Sequence, residues 1–460
     1  MKKTNIEQRD QIISLYLSGK TPSEIGTMFN KHPNSISRIL KKNNIEKNQN
    51  VTTKDSDIKN IISNYISGES IKNLSDKFGI SQATVYRILK KQNIKKNNLE
   101  KPIKYGTTYI PFWNGIELNS LNLSKLTNEQ KNEIVEYLFN FYRKNGFPYT
   151  ELSNDELIEN FNLLQSIDIN SILKENNIIT TFNQSGVNVF KHFAPHFFEV
   201  ESGIKDKPSM LSTFLNDKLL KDVIFNRLEN NFNMTGQMLR QGLANSKNAY
   251  KASTFPPSVA KFLYMKYCKE NDLIFDYSSG FGQRLLAALS LPYKTTYIGI
   301  DPYKKSLQSN KNIYNFYKNH VPGIKTEIDL YEIGSENFCE EKYINKVNFA
   351  FSSPCYFNIE KYSDDKNQSY FGKSYDDFIN KWWRKTVCNI NKLICSNGLF
   401  ALNIADKVYN FDIADHMKFI IEENGFELIE KYKMQLTRNT VFNNKKGEHK
   451  YEPIFIFRKK

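Results

Sequence analysis

The sequence predicts a multidomain protein with an all-α N-terminal part, a mixed middle region and a C-terminal α/β domain with a doubly wound, mostly parallel sheet. The chain has 460 residues, more than one hydrophobic core usually organises. A segment near the N-terminus occurs twice, and repeats of this length each form one supersecondary unit. From residue 251 onward, apolar strand patterns alternate with helical patterns, which is typical of a parallel sheet covered by helices.

The N-terminal repeat has matched positions 49 residues apart, so that residues 6–47 recur at 53–96. The segment SISRILKK at 35–42, for example, matches TVYRILKK at 84–91. Each copy predicts three short helices. In the first copy, Gly19 marks the end of the first helix, Pro22 occupies the first position of the second, and Asn34 opens the third. In the second copy, Ser81 opens the third helix.

This three-helix pattern resembles the helix-turn-helix DNA-binding domain of resolvases and Hin-type recombinases. The resemblance implies that the third helix of each copy enters the major groove of double-stranded DNA while its last turn follows the phosphates. The DNA-binding residues expected on these two helices are Ser35, Arg38, Lys41, Lys42, Thr84, Arg87, Lys90 and Lys91.

The charge distribution agrees with a polyanion-binding N-terminus. Residues 1–104 contain 20 Lys and Arg against 9 Asp and Glu, whereas the whole chain has a net charge of +15. A strongly basic piece joined to a nearly neutral body favours nucleic acid as its partner. We expect no signal peptide and no membrane span, because the chain lacks the apolar stretches that both need. The five cysteines show no paired metal spacing, so we expect a reducing, intracellular (cytoplasmic) protein without zinc or disulfides.

The predicted domains follow from these patterns. They are helix-turn-helix units at 1–48 and 49–98, a linker at 99–110, a middle region at 111–250 and an α/β domain at 251–460. Helical patterns occur in the middle region at 127–144, 154–165 and 216–230, but that region contains no motif of its own. The strands predicted for the α/β domain are 272–277, 295–301, 325–333, 346–353, 398–404, 426–434 and 453–459. The last two have no helix between them, so we expect a closing hairpin.

A glycine-rich turn follows the first strand of the α/β domain. The segment FDYSSGFGQR at 275–284 runs from a strand through this turn into a helix. Glycines allow close backbone approach to a ligand, and a helix N-terminus favours a negative group. About 20 residues later the second strand ends at Asp301, where a carboxylate can hold both hydroxyls of a ribose. The spacing alone also suits a dinucleotide site. The segment resembles the FxxxxGxG motif of DNA amino-methyltransferases.

A second motif, SSPCYF at 352–357, comes directly after the fourth strand. It resembles the (D/N/S)-P-P-(Y/F) tetrapeptide of N6-adenine and N4-cytosine methyltransferases, with Cys355 in place of the second proline. The resemblance implies three catalytic residues. Ser353 and the carbonyl of Pro354 accept hydrogen bonds from the target amino group, and Tyr356 stacks on a base flipped out of the duplex.

Together these motifs resemble the S-adenosylmethionine-dependent DNA amino-methyltransferases, whose catalytic domain has the class I (Rossmann-like) methyltransferase fold of seven strands with a closing hairpin. The resemblance implies S-adenosylmethionine as cofactor, transfer of its methyl group to an exocyclic amino group, and target recognition by the middle region. Both adenine and cytosine remain candidate targets. The cofactor-binding residues that the resemblance implies are Phe255, Phe275, Asp276, Ser278, Gly280, Gly282, Asp301 and Ser335.

Three other interpretations stay open. Cysteine attacks the base in cytosine C5 methyltransferases, and Cys355 follows a proline as in those enzymes, although the Gln and the Glu-Asn-Val motif that accompany it there are absent. A DNA-binding regulator with a degenerate, ligand-sensing methyltransferase domain would also explain Cys355. Methylation of RNA or protein is a third possibility, which the paired helix-turn-helix patterns disfavour.

Overall fold

A computed structural model describes residues 6–18, 20, 22–43, 55–66, 71–91, 105–106, 112–113, 116–118, 123–181, 183–203, 207–245, 249–363, 373–436 and 450–460. The chain divides into two compact units, Met1–Ile103 and Lys104–Lys460. No helix among the described residues is both long and apolar enough to cross a bilayer.

The first unit consists of helices that follow the sequence repeat. They are α1 (Ile6–Leu17), α2 (Pro22–Met28), α3 (Pro33–Lys42), α4 (Asp55–Ile66), α5 (Ile71–Phe78) and α6 (Gln82–Lys91). Each copy packs its own small core on equivalent positions 49 residues apart. These positions are Ile12, Ile25, Ile36 and Leu40 in the first copy and Ile61, Leu74, Val85 and Leu89 in the second.

Gly19, the predicted end of the first helix, lies outside the described residues. The other predicted helix ends agree with the sequence patterns except in one place. Helix α2 begins at Pro22, and the backbone N–H of Thr84 donates to Ser81 just before α6. Helix α3 begins one residue earlier than expected, at Pro33, because the side chain of His32 accepts from the N–H of Asn34 and takes the capping role. Each copy therefore forms three helices, whereas their use as helix-turn-helix DNA-binding units stays a prediction.

The second unit begins with a largely helical region. Its helices are α7 (Asn128–Asn145), α8 (Asn154–Gln165), α9 (Val187–Phe193), α10 (Met210–Leu215), α11 (Asp217–Glu229) and α12 (Gly236–Asn245), and its short strands are β1 (Tyr105–Gly106), β2 (Phe112–Trp113), β3 (Ile116–Glu117), β4 (Phe147–Pro148), β5 (Leu173–Lys174), β6 (Ile178–Ile179) and β7 (Glu201–Ser202). Capping boxes begin α7 and α8, at Thr127 with Gln130 and at Ser153 with Glu156.

The remaining elements alternate strand and helix. The helices are α13 (Pro257–Tyr267), α14 (Gln283–Leu289), α15 (Lys304–His320), α16 (Arg384–Leu393), which a π-helical segment at Asp377–Trp383 precedes, and α17 (Ile413–Glu423). The strands are β8 (Leu273–Asp276), β9 (Thr296–Ile300), β10 (Glu327–Tyr331), β11 (Val347–Ser352), β12 (Glu360–Lys361), β13 (Ile394–Asn403), β14 (Phe426–Gln435) and β15 (Tyr451–Lys459).

The main sheet has the order β10-β9-β8-β11-β13-β15-β14-β6-β5. The strands from β10 to β13 are parallel, and β15 runs antiparallel to both of its neighbours, β13 and β14. The seven predicted strands, the doubly wound arrangement and the closing hairpin are thereby confirmed. The sequence did not predict β6 and β5, which extend the sheet beyond β14.

The two edge strands join the middle region to the sheet. Residue Ile178 pairs with Lys433, and Ile179 pairs with Met434. The boundary expected near residue 250 therefore does not separate two compact units, and the contacts divide the chain only between Ile103 and Lys104. Two-residue strands carry too little pattern for recognition in a sequence, which explains why this connection was missed.

Candidate active site

A cavity of about 250 Å³ opens at the carboxyl ends of the parallel strands. Strand order reverses there, since β8 continues to β9 on one side and has β11 on the other, and ligands of such sheets bind at this point. Most of the lining comes from segments that follow β8, β9, β11, β13 and β14, from the start of β15 and from the residues before α13. The lining residues used below are Phe255, Ser278, Gly280, Phe281, Arg284, Asp301, Tyr303, Ser306, Ser353, Pro354, Cys355, Tyr356, Glu360, Tyr362, Asn403 and Glu452.

The glycine-rich turn after β8 is held in shape by a buried ion pair. The Asp276 carboxylate is fully buried and accepts from Arg284 Nε at 2.7 Å and from the Tyr297 hydroxyl at 2.6 Å. Arg284 also donates to the carbonyl of Ser278, so the same guanidinium ties the strand end to the turn. Gly280 has a φ of 55° in this turn, a conformation that glycine adopts without strain.

Asp301, which follows β9, lies beside the turn on the same side of the cavity. One of its carboxylate oxygens accepts from the N–H of Gly280 at 2.9 Å, and the other accepts from the N–H of Tyr303 at 2.8 Å. Burial raises the pKa of Asp301 to about 6, although the two backbone donors act in the opposite direction. The carboxylate keeps lone pairs for further donors because each oxygen can accept more than one hydrogen bond.

The segment after β11 forms the opposite wall. Ser352 is fully buried and its hydroxyl donates to the carbonyl of Ser278 at 3.1 Å, which joins this segment to the glycine-rich turn. Ser353, Pro354 and Tyr356 all line the cavity. The structure thus brings the three predicted catalytic residues into one cavity with Asp301, although Asp301 and Ser353 lie 52 residues apart in the sequence.

Tyr356, from the loop after β11, and Glu452, near the start of the last strand, line the same cavity. Burial and the neighbouring Glu452 carboxylate raise the pKa of Tyr356 well above its usual value. The neutral phenol therefore keeps its proton over a wide pH range.

No role was assigned to Glu452 from the sequence. In the structure Glu452 opens β15 next to Met434 of β14. Burial raises the pKa of Glu452, whereas hydrogen bonds from Tyr356 and Asn403 act against this shift. An acidic residue at the start of an apolar strand could have indicated a functional role for Glu452. The sequence does not show, however, which loop lies next to this residue.

Asn403, at the end of β13, was also missed. Its side chain is fully buried, and its amide nitrogen donates to the carbonyl of Pro453 at 3.1 Å. Among the described residues its Oδ1 atom is buried without a hydrogen-bond partner, although the residue lines the cavity. Such an acceptor costs free energy unless a ligand satisfies it.

Residues that precede α13 close one end of the cavity. Phe255 is buried and packs edge-on against Phe351, with ring centroids 5.3 Å apart. It also lines the cavity, as a residue predicted to bind the cofactor should. Glu360 accepts from the Tyr250 hydroxyl and from the N–H of Ser253, each at 3.0 Å. This carboxylate holds the segment before α13 against the loop that carries Tyr356.

The middle region supports the cavity wall from behind. His196 is buried and forms a long hydrogen bond of 3.4 Å with Ser306, which lines the cavity. Its ring centroid lies 5.1 Å from that of Phe281 and 5.3 Å from that of Tyr303. Burial lowers the pKa of His196 to about 3, so the imidazole is neutral and acts as a packing group.

The predicted cofactor residues fall into two groups. Phe255, Ser278, Gly280 and Asp301 line the cavity. The other four are not among its lining residues. Asp276 forms the buried ion pair with Arg284 described above. Phe275 stacks on Phe338 in the core, with centroids 5.3 Å apart, and Ser335 shares a buried 2.8 Å hydrogen bond with Thr386. Gly282 caps α14 at a φ of 94°, where a Cβ atom would lie 2.6 Å from Asn310.

The predicted DNA-binding side chains lie on α3 and α6. Ser35, Arg38, Lys41 and Lys42 are exposed on α3. On α6, Arg87 is exposed and Thr84 is partly buried and shares a hydrogen bond with Ser81. The side chains of Lys90 and Lys91 lie outside the described part of the chain.

No protein-family model matches the sequence, and no curated protein matches it. Several solved structures are similar to a little less than half of the chain. A SAM-dependent methyltransferase from Methanosarcina mazei is 13% identical over 45% of this chain and 99% of its own, with a TM-score of 0.30. TrmN from Thermus thermophilus is 13% identical over 45% of this chain and 50% of its own, with a TM-score of 0.31. A putative RNA methyltransferase from Pyrococcus horikoshii is 14% identical over 44% of this chain and 82% of its own, with a TM-score of 0.29.

The fold class rests on the chain's own topology. Counted along the chain from β8 and without the two-residue strand β12, the seven strands lie in the order 3-2-1-4-5-7-6, with the seventh antiparallel. This sheet is the Rossmann-like arrangement that the sequence resemblance implied for the C-terminal domain.

Proposed function

We propose that this protein transfers a methyl group from S-adenosylmethionine to an exocyclic amino group of a base in double-stranded DNA. The observation that carries the proposal is the shared cavity. The glycine-rich turn and Asp301, on one side, face the Ser353–Tyr356 segment on the other. A nucleoside-containing cofactor and a flat base with an amino group are the two ligands that suit these opposite walls.

The residues on the Asp301 side fit the cofactor. The Asp301 carboxylate has free lone pairs for the two ribose hydroxyls, and charge-assisted hydrogen bonds of this kind are strong. Gly280 leaves open space where a side chain would project, since a Cβ atom there would meet only one atom within 4 Å. Phe255 supplies an apolar surface beside them. When bound, S-adenosylmethionine supplies an electrophilic methyl group on a sulfonium.

The residues on the other side suit an amino group. Its lone pair is delocalised into the ring, which makes the nitrogen a poor nucleophile. Hydrogen bonds from the amino group to Ser353 Oγ and to the Pro354 carbonyl would localise that lone pair toward the methyl group. The ring of Tyr356 would stack on the flipped base. Proline limits the freedom of the backbone that carries this carbonyl.

The first unit would supply the affinity for DNA. Exposed basic side chains occur at equivalent positions of both copies, at Arg38 and Arg87. The charge of residues 1–104 favours a polyanion. Such a unit would hold the duplex while the cavity receives one base from it.

The product identifies the reaction. The protein is incubated with duplex DNA and S-adenosylmethionine carrying a labelled methyl group. The DNA is then digested to nucleosides, which are separated and identified by mass spectrometry. We expect label in N6-methyladenine or N4-methylcytosine, which also identifies the target base. Label in 5-methylcytosine would favour attack by Cys355, which lines the same cavity. Cofactor binding without any labelled nucleoside would favour a ligand-sensing regulator, and label in RNA or protein alone would contradict a DNA substrate.

DNA binding is tested with charge variants. Arg38→Gln combined with Arg87→Gln should weaken duplex binding and reduce its salt slope by about 1 for each arginine that contacts a phosphate. Arg9→Gln on α1 is the control for the loss of one arginine, because it removes one positive charge from a different helix of the first copy. Equal affinities for all three proteins would show that α3 and α6 do not contact DNA.

A further inference from the structure

A tight turn that follows β13 carries an exposed aromatic side chain. The backbone groups of Val408 and Phe411 bond each other in both directions, at 3.1 and 3.0 Å, which leaves Tyr409 and Asn410 as the two central residues of the turn. Tyr409 has a φ of 53° and is 48% exposed. Hairpin turns with a positive φ at the first central residue usually have glycine, asparagine or aspartate there. A tyrosine at this position is therefore unusual.

The other residues with a positive φ show how unusual Tyr409 is. Among the described residues, nine that are not glycine have a positive φ, and eight of these are asparagines. Asparagine tolerates this conformation, whereas a bulky side chain is strained in it. Single exposed aromatic residues are common on protein surfaces, but backbone strain of this kind occurs mainly at functional sites. The strain and the exposure together therefore indicate a function for the Tyr409 ring.

Two contacts place Tyr409 beside the segment that carries the predicted catalytic residues. Its hydroxyl donates to the carbonyl of Asn358 at 3.0 Å, and its ring centroid lies 6.1 Å from that of Phe357. Phe357 directly follows Tyr356, which lines the cavity. The turn itself follows β13, whose last residue, Asn403, also lines the cavity. The exposed ring thus lies at the carboxyl edge of the sheet, next to the loop that forms one wall of the cavity.

A base that leaves a duplex exposes the faces of its former neighbours. Each neighbouring base loses a stacking partner, and this loss is part of the free energy that base flipping costs. An exposed aromatic ring can cover such a face, because aromatic side chains stack on bases of any sequence. Beside the turn, the Lys407 ammonium pairs with the Asp412 carboxylate at 2.9 Å, which reduces the negative charge that the phosphates of a duplex would meet.

On the basis of the proposed function, we propose that Tyr409 stacks on a base next to the flipped one and stabilises the opened duplex. The turn fixes the position from which the ring projects, and the hydrogen bond to Asn358 ties the ring to the loop that carries Tyr356. The partner of this surface is duplex DNA. Since stacking needs no particular base, Tyr409 contributes to opening of the site and not to the choice of sequence.

Two variants of the full-length protein separate the ring from the turn. Tyr409→Asn removes the ring and introduces the residue type found at the other eight positions, so thermal stability should stay close to that of the wild type. Its kcat/KM for methylation of duplex DNA should fall by about 5- to 150-fold, the loss of one stacked base. Tyr409→Phe keeps the ring and should retain most of the wild-type kcat/KM. Equal losses in both variants would assign the effect to the hydroxyl and overturn the stacking role.

The control is Tyr137→Ala on α7. Tyr137 is also exposed, at 38%, but it lies next to Glu136 on a helix of the middle region. This variant should have the wild-type kcat/KM for duplex DNA. A wild-type value for Tyr409→Asn, or an equal loss in Tyr137→Ala, would overturn the inference.

Photo-cross-linking tests the contact independently of catalysis. The wild-type protein is irradiated with S-adenosylmethionine and duplex DNA in which 5-iododeoxyuridine replaces thymidine, and the cross-linked peptides are identified by mass spectrometry. We expect a peptide that contains Tyr409, and we expect its loss in Tyr409→Asn. Cross-links without Tyr409 would overturn the inference. Tyr409 cross-links without any methylated nucleoside would overturn the proposed reaction alone, so the two failures are distinguishable.

Discussion

The two sides of the cavity are built in different ways. On the Asp301 side, the decisive contacts join a carboxylate to backbone N–H groups, and Gly280 and Asp301 lie only 21 residues apart. On the Glu452 side, the lining side chains come from the loop after β11, the end of β13 and the start of β15. Tyr356 and Glu452 are nearly 100 residues apart in the sequence.

This difference predicts how each side of the cavity responds to mutation. Backbone donors persist whatever side chains surround them, so the Asp301 side depends on a single replaceable group. The Glu452 side consists of side chains from three segments, each of which a single mutation can remove. We therefore expect changes at Asp301 to weaken binding, and changes around Tyr356 to slow the reaction with little effect on cofactor affinity.

The largest effect is expected for Tyr356→Ala. Loss of the ring removes stacking on the flipped base, worth about 1–3 kcal/mol. Methyl transfer should therefore slow by up to about 150-fold, measured by single-turnover kinetics. Cofactor affinity measured by calorimetry should not change. A large loss of cofactor affinity would show that the two sides are not independent.

Asp301→Ala should give the opposite pattern. Hydrogen bonds to a charged group contribute about 1.5–3 kcal/mol, so S-adenosylmethionine should bind roughly 10- to 150-fold more weakly. Once the cofactor saturates the variant, its single-turnover rate should approach that of the wild type. Unchanged affinity in a folded variant would contradict the assignment of Asp301 to the ribose.

The pH dependence of cofactor affinity sharpens this contrast. Burial raises the pKa of Asp301 to about 6, and only the ionised carboxylate accepts from both ribose hydroxyls with full strength. Affinity should therefore be constant above pH 7 and about tenfold lower at pH 5. Asp301→Asn should bind weakly with no such dependence between pH 5 and pH 8. A wild-type affinity that rises on acidification would contradict the prediction.

The smallest effect is expected for Cys355→Ser. The amino mechanism forms no covalent bond between enzyme and base, so the rate should change by less than about tenfold, or 1.4 kcal/mol. A C5 enzyme would lose its nucleophile and its activity with this change. Trapping of the wild-type protein, but not Cys355→Ser, on DNA that contains 5-fluorocytosine would therefore overturn the amino-methyltransferase proposal.

The sequence alone predicted those features that local patterns encode. The repeat period of 49 residues located equivalent core positions such as Ile36 and Val85, because apolar residues on one helix face must be buried. Strand–helix alternation predicted the seven strands and the hairpin. The cavity-lining positions of Gly280, Asp301 and Ser353 could be expected because parallel strands bring their carboxyl ends to one edge.

Only the tertiary structure decided which predicted residues reach the cavity and which unassigned ones join them. Asp276 lies in the same motif as Gly280, yet its carboxylate accepts a hydrogen bond from Arg284 inside the core and does not line the cavity. Glu452 lines the same cavity as Tyr356 because β15 inserts between β13 and β14. A one-residue change of register would turn its side chain to the other face of the sheet. Contacts of this kind depend on how distant strands align, and no pattern within a single segment encodes that alignment.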